Sequence, residues 1–190
     1  HSRRFLDDVQ PLDHGIAGVA DPDLDLLGGS LANQTAIVCA RHCGDFAPDR
    51  SVAYLSERAH HSLPKAMHLS GIPAECIRLV RTTSPGRIDT QALRDQIERD
   101  RELGKRPWMI VGVAGSTDTG SIDDLGELAT VASSYGAWFH VDAAYGGMFA
   151  LTQRGAARLQ AVHAADSGVV DAHKGLFLPY GVAAVLVRRA

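Results

Sequence analysis

From Val52 onward the sequence alternates short apolar runs with longer amphipathic stretches, and this alternation restricts the fold more than any other feature. Strands are expected at Val52–Ser56, Cys76–Val80, Trp108–Ala114, Ala137–Ala143, Gly168–Asp171 and Ala183–Arg188. Helices are expected at Ser30–His42, Ser62–Ser70, Thr90–Leu103, Asp123–Tyr135 and Ala156–Ala164. Thr90 and Asp123 read as N-caps, Gly104 and Gly136 as C-terminal stops. Leu125, Leu128, Ala129 and Ala132 recur at i, i+3, i+4 and i+7, the spacing of one buried helix face. Such alternation implies an α/β fold: a mostly parallel sheet flanked by helices, with right-handed crossovers. Ligands in such a sheet bind at the C-terminal ends of the strands.

A chain of 190 residues buries about 70% of its unfolded surface, enough for one core and too little for two full domains. Its net charge of −3 and lack of a basic run argue against nucleic acid as a partner. No apolar stretch approaches the length of a membrane span, and no basic-then-apolar leader opens the sequence. Cys39, Cys43 and Cys76 have no framework spacing, so reduced thiols in a cytoplasmic protein are expected. Cys39 and Cys43, at i and i+4 of one helix, read as small buried hydrophobes rather than zinc ligands. Residues 1–29 scatter Asp among Pro, Gly and His without a period and are expected to be irregular.

Five stretches carry candidate chemistry. In WFHVDAAYGG, His140, Asp142 and Ala144 share one face of a strand. Asp142 at the strand end can hold a cation or a protonated ring nitrogen, with Ala144 leaving room for a flat ring; it can equally cap the following turn. In DAHKG, Lys174 follows a strand, where partial burial makes a lysine an amine nucleophile toward an aldehyde. A surface lysine in a turn is the plainer alternative. His173 beside it can donate to a phosphate. Gly28, Gly29 and Ser30 before a helix offer free N–H groups and a hydroxyl to an anion, or form an ordinary cap. His60 can stack on a heteroaromatic ring. The pair His60–His61 lacks a third ligand at metal-site spacing, so no metal is expected. Ser116 and Thr117, after the most hydrophobic strand, place hydroxyls beside Asp142 if the two strands are neighbours; turn formation explains them as well.

In this order GGSLAN, SERAHHS, GSTDTGSID, HVDAAYGG and VDAHKGLFLPYG resemble the group II pyridoxal-phosphate-dependent amino-acid decarboxylases, among them the aromatic-amino-acid, glutamate and diaminobutyrate decarboxylases. The resemblance runs from Gly28 to Ala190 and implies the large domain of the aspartate aminotransferase fold (fold type I). It implies that Lys174 holds pyridoxal 5'-phosphate as an aldimine. Asp142 then pairs with the pyridine nitrogen, while His60 and Ala144 lie on opposite ring faces. Gly29, Ser30 and His173 match positions around the phosphate, and Ser116 or Thr117, with Thr117 favoured, the hydroxyl near the cofactor. Lys174, His60 and Asp142 are the catalytic candidates. Ala172 stands where the family commonly has proline, and His61 where a small hydroxyl residue is frequent.

The implied reaction is decarboxylation of an L-amino acid to an amine and CO₂, in a homodimer. Another fold-type-I enzyme, aminotransferase-like or a sulfur-transferring lyase, is the alternative. So is a truncated chain that binds cofactor without catalysis. Residues 30–190 are expected to form part of the cofactor-binding large domain. The small C-terminal domain and the loop that commonly carries the protonating group are not expected within the 190 residues, so the isolated chain is expected to turn over poorly. The motifs do not select among amino-acid substrates.

Overall fold

A computed structural model describes residues 28–188; residues 1–27, which hold nearly all of the stretch expected to be irregular, lie outside the described residues. The elements in chain order begin with α1 (Gly28–Cys43), β1 (Ser51–Ser56), α2 (Ser62–Leu69) and β2 (Ile77–Val80). A small antiparallel pair follows, β3 (Thr82–Thr83) and β4 (Arg87–Ile88), then α3 (Thr90–Glu102), β5 (Arg106–Val113) and α4 (Leu125–Tyr135). The chain continues through β6 (Trp138–Ala143), α5 (Gln153–Arg158), β7 (Ser167–Asp171), α6 (Ala172–Gly175) and β8 (Ala183–Val187). The main sheet has the order β2-β1-β5-β6-β7-β8. All neighbours are parallel except β7 and β8. The alternation of strands and helices is therefore realised, with one antiparallel edge. The connection from Ala172 to Val182 is shorter than the dozen or so residues a parallel crossover needs.

Side-chain alternation divides the core into two layers. Val52, Tyr54, Ile110, Phe139, Val141 and Ala143 pack against Leu93 and Ile97 of α3 and Leu125, Leu128, Val131 and Ala132 of α4. Ala53, Leu55, Met109 and Val111 point the other way, toward Ile37 and Ala40 of α1 and Leu63, Ala66 and Met67 of α2. Strands β1 and β6 are buried along their whole length, as central parallel strands covered on both faces must be. Truncating a side chain such as Leu128 to alanine removes about 2–5 kcal/mol from this packing.

Two expected caps are displaced by one residue. Asp89, not Thr90, caps α3, its carboxylate accepting from Ala92 N at 3.0 Å. Asp124, not Asp123, caps α4 by accepting from Glu127 N at 3.0 Å. Asp123 is buried and accepts from the backbone N–H of Ile88 and of Val113, each at 2.8 Å, tying β4 to β5. Gly136 closes α4 in the left-handed region at φ 63°, as its position suggests. The helix expected at Ala156–Ala164 is α5 followed by a separate 3₁₀ turn at Gln160–Ala164, the break falling at the buried Leu159. Cys39 is half-buried and Cys43 exposed, so the expectation of two buried thiols fails at Cys43, which the end of α1 leaves in solvent.

Candidate active site

The chain leaves β1, runs outward to β2 and returns to β5 on the other side of β1, so the strand order reverses between β1 and β5. At such a reversal the connections on the two sides diverge and leave a crevice beyond the strand ends. His60 follows β1, Ser116 and Thr117 follow β5, and Asp142 and Ala144 close β6. His173 and Lys174 lie in α6 after β7, while Gly29 and Ser30 form the first turn of α1. All of these residues line one cavity of ≈ 240 Å³, and Asn33, Asp171 and Tyr180 join them.

Asp142 is buried at 6% exposure and its two oxygens are used differently. Oδ1 accepts from Ala144 N at 3.1 Å, the turn-capping role, and Oδ2 accepts from Asn33 Nδ2 at 3.2 Å. The carboxylate is thus held from two sides and still borders the cavity. The glycines that follow it allow close approach: a Cβ at Gly146 would run into the Ala114 carbonyl, and one at Gly147 would lie 2.5 Å from Val170 Cγ1.

Asp171 is the residue that sequence reasoning passed over. It is fully buried at the end of β7, where its Oδ2 accepts from Gly29 N at 3.0 Å and its Oδ1 from His173 N at 3.2 Å. Lys174 Nζ stands 3.8 Å from the same carboxylate, and His173 Nδ1 2.5 Å. One donor of the helix start, expected to face a ligand anion, is therefore taken by a protein carboxylate. A Cβ at Gly28, at φ +60°, would meet His173 Cε1 at 2.8 Å, which keeps the imidazole against the start of α1. The Tyr180 ring lies against the His173 ring at a tilt of 46°, with centroids 4.8 Å apart. The signal for Asp171 was its place directly after an apolar strand; that for Asn33, its place one turn beyond Ser30.

His60 Nδ1 meets Ser62 Oγ at 2.7 Å and accepts from Ser62 N at 3.3 Å, so the ring is oriented by its own turn. Burial, then the neighbouring His61, pushes its pKa below the usual value and favours the neutral ring. His61 is exposed, with its ring 4.2 Å from that of His60. Strands β5 and β6 are neighbours, with Val113 opposite Asp142, as the placement of Ser116 and Thr117 required. The Ser116 hydroxyl is nonetheless engaged within its loop, 2.8 Å from Thr119 Oγ1 and 3.0 Å from Ser121 Oγ. Thr117 is exposed at the cavity wall. Neither hydroxyl is a partner of Asp142, whose oxygens go to Asn33 and Ala144.

Together these groups suit a flat heteroaromatic ligand. A fixed, buried carboxylate can face a cationic ring nitrogen, an imidazole held neutral can offer a face, and the Lys174 side chain can reach a carbonyl. The helix start, hydroxyls and His173 provide donors for an anionic arm. Residues 39–190 match the pyridoxal-dependent decarboxylase conserved domain. The aromatic-L-amino-acid decarboxylase of Bacillus atrophaeus is 39% identical over 166 residues, covering 86% of this chain and 34% of that protein. The glutamate decarboxylase domain of the diaminobutyrate-pyruvate transaminase and L-2,4-diaminobutyrate decarboxylase from Vibrio parahaemolyticus superposes with a TM-score of 0.81 at 30% identity. That alignment covers 86% of this chain and 38% of the other. The Oryza sativa TDC structure with PLP and tryptamine gives a TM-score of 0.79 at 28% identity, covering 85% and 36%. The chain spans about a third of the length of the curated relatives it matches. With the domain match running through all four strand-end motifs, the chain belongs to the pyridoxal-dependent decarboxylase family.

Proposed function

We propose that this chain supplies the cofactor-holding part of an enzyme that decarboxylates an L-amino acid with pyridoxal 5'-phosphate. The observation that carries the reading is the convergence of Lys174, Asp142 and His60 on one cavity at the strand ends. The residues fit the group: amine for aldehyde, carboxylate for ring nitrogen, imidazole and Ala144 for the two ring faces. Gly29, its N–H held by Asp171, borders the phosphate side, where Ser30 and His173 provide donors, and Ser116 or Thr117 provides the hydroxyl near the cofactor. When bound, pyridoxal phosphate supplies an electron sink for the pair released as CO₂ leaves.

Each residue has a distinct task. Lys174 is the attachment point, on a turn short enough that its Nζ stays beside Asp171. Asp142 keeps a proton on the ring nitrogen, and its burial strengthens that interaction by excluding water. His60, neutral and oriented by Ser62, covers one ring face and keeps solvent from it. Residues 30–190 form part of the large domain in this reading.

The same reading places the enzyme as a homodimer in the cytoplasm. Leu176, Phe177, Leu178 and Tyr180, exposed beside Lys174, support a partner surface there, and the three unpaired cysteines suit a reducing compartment. Among the described residues no helix is long and apolar enough to cross a membrane.

Borohydride reduction of the chain with pyridoxal phosphate, followed by mass mapping, should place the label on Lys174. CO₂ release from a panel of L-amino acids then tests the reaction. Amino-group transfer without CO₂ would instead support another enzyme of the same fold, and labelling spread over surface lysines would refute the site.

A further inference from the structure

Because side chains alternate along β6, Trp138, His140 and Asp142 share the face opposite Phe139, Val141 and Ala143. A continuous line of hydrogen bonds runs along that face, from the start of the strand to its functional end. Trp138 Nε1 lies 2.8 Å from Ser167 Oγ, and Ser167 Oγ lies 2.8 Å from His140 Nδ1. His140 Nε2 lies 2.9 Å from Asn33 Oδ1, and Asn33 Nδ2 lies 3.2 Å from Asp142 Oδ2. Asn33, His140 and Ser167 are all essentially inaccessible to solvent.

The two ends fix the direction of every link. An indole N–H only donates and a carboxylate only accepts. Asn33 must turn its amide N–H to Asp142, which leaves its carbonyl to accept from His140. The single imidazole proton then sits on Nε2, and Nδ1 accepts from the Ser167 hydroxyl, which itself accepts from Trp138. A second proton on His140 would strand the Ser167 hydroxyl without an acceptor. Asp142 is the charged group that faces the ring, and burial outweighs its attraction, lowering the imidazole pKa to about 4.

We propose that His140 and Asn33 are positioning residues for Asp142. The line from Trp138 holds His140 as the neutral Nε2–H tautomer. Through Asn33 it fixes the rotation of the carboxylate that meets the cofactor ring nitrogen. This rests on the reading of Asp142 given above, and two measurements separate the two ideas.

In the full chain without added cofactor, nitrogen NMR is expected to show His140 as the Nε2–H tautomer with a ring proton slow to exchange. An Nδ1–H tautomer, or exchange as fast as at the exposed His61, overturns the line of bonds. With pyridoxal phosphate added, Asn33→Ala is expected to weaken cofactor affinity about tenfold or more. It should also move the absorbance of bound cofactor toward the form with an unprotonated ring nitrogen, while borohydride still labels Lys174. Affinity and spectrum equal to wild type overturn the positioning role. Should Asn33→Ala not fold, Ser167→Ala serves: His140 loses its fixed donor, and a mixture of tautomers with a weaker cofactor complex is expected. A single unchanged tautomer and unchanged affinity in that variant count against the proposal. Absence of cofactor uptake by the wild-type chain would remove both the site reading and the positioning role, whereas the tautomer measurement judges the hydrogen-bond line alone.

Discussion

Replacing Asp171 by alanine removes a side chain that has no contact with solvent and joins three separate parts of the fold. Its carboxylate accepts from Gly29 N at 3.0 Å and His173 N at 3.2 Å, and stands 3.8 Å from Lys174 Nζ. Alanine leaves Gly29 N without a partner in a buried setting, while His173 N keeps the Val182 carbonyl at 3.3 Å. For this one unsatisfied donor the loss is about 1–3 kcal/mol, reduced where water enters the space. Against a total stability of about 5–15 kcal/mol for a domain, that is a large fraction. Asp171→Asn keeps one carbonyl acceptor of the same size for Gly29 N and is expected to lose less. Urea unfolding followed by fluorescence of Trp108 and Trp138 measures both variants; the midpoint should fall while the slope stays constant. A change below about 0.5 kcal/mol in Asp171→Ala, the range of an ordinary surface substitution, would refute the claim that this carboxylate anchors α1.

Three further outcomes are expected. Lys174→Ala should abolish borohydride labelling by pyridoxal phosphate, yet change stability by less than about 1 kcal/mol, since its ion pair with Asp171 is partly exposed. Circular dichroism and mass mapping check the two halves of that statement. His140 has a folded pKa of about 4 against about 6.5 unfolded, so between these values the unfolded chain binds more protons. Stability is therefore fully present above pH 6.5 and is lost as the pH falls toward 4, by about 3 kcal/mol. Urea midpoints across that window should show the fall, and His140→Gln should flatten it. Gly146→Ala should destabilise by about 1–3 kcal/mol or more, because its Cβ would collide with the Ala114 carbonyl, backbone that cannot swing aside. Thermal unfolding of that single variant is the check.

The six strands of the main sheet were legible because each is a short, mainly apolar run, as burial on both faces demands of central strands such as β1 and β6. The two-residue, largely polar β3 and β4 were not expected. The motif residues were legible for a related reason, since Asp142, Lys174 and His60 each follow such a run and so fall at one edge of the sheet. What escaped reading depends on contacts distant in sequence. Asp171 acquires its role from Gly29, 142 positions away, and Asn33 from Asp142, 109 positions away. Nothing in the neighbourhood of either residue signals that partner. Asp123 misled for the same reason: its local setting reads as a cap, while its carboxylate answers to Ile88 and Val113. The direction of β8 followed from connection length, a rule that the strand pattern alone does not express.

These long-range links have a common member. Asp142 and Asp171 end the adjacent parallel strands β6 and β7, and each is tied to α1, one through Asn33 and the other through Gly29. The helix thus sets the position of both carboxylates, and through Asp171 that of the Lys174 turn. Ala32 and Ala36 allow this close seating, packing with Ala144 and Val169 where larger side chains would lift the helix from the sheet. Motion of the first turns of α1 away from the strand ends would release both acids together, so the site and the docking of α1 should open as one unit. Amide exchange tests this. Gly29 N–H and the Asn33 side-chain amide should exchange with the same opening free energy in the wild-type chain. In Asp171→Asn both should lose protection together, and loss at Gly29 alone would show that the two carboxylates are held independently.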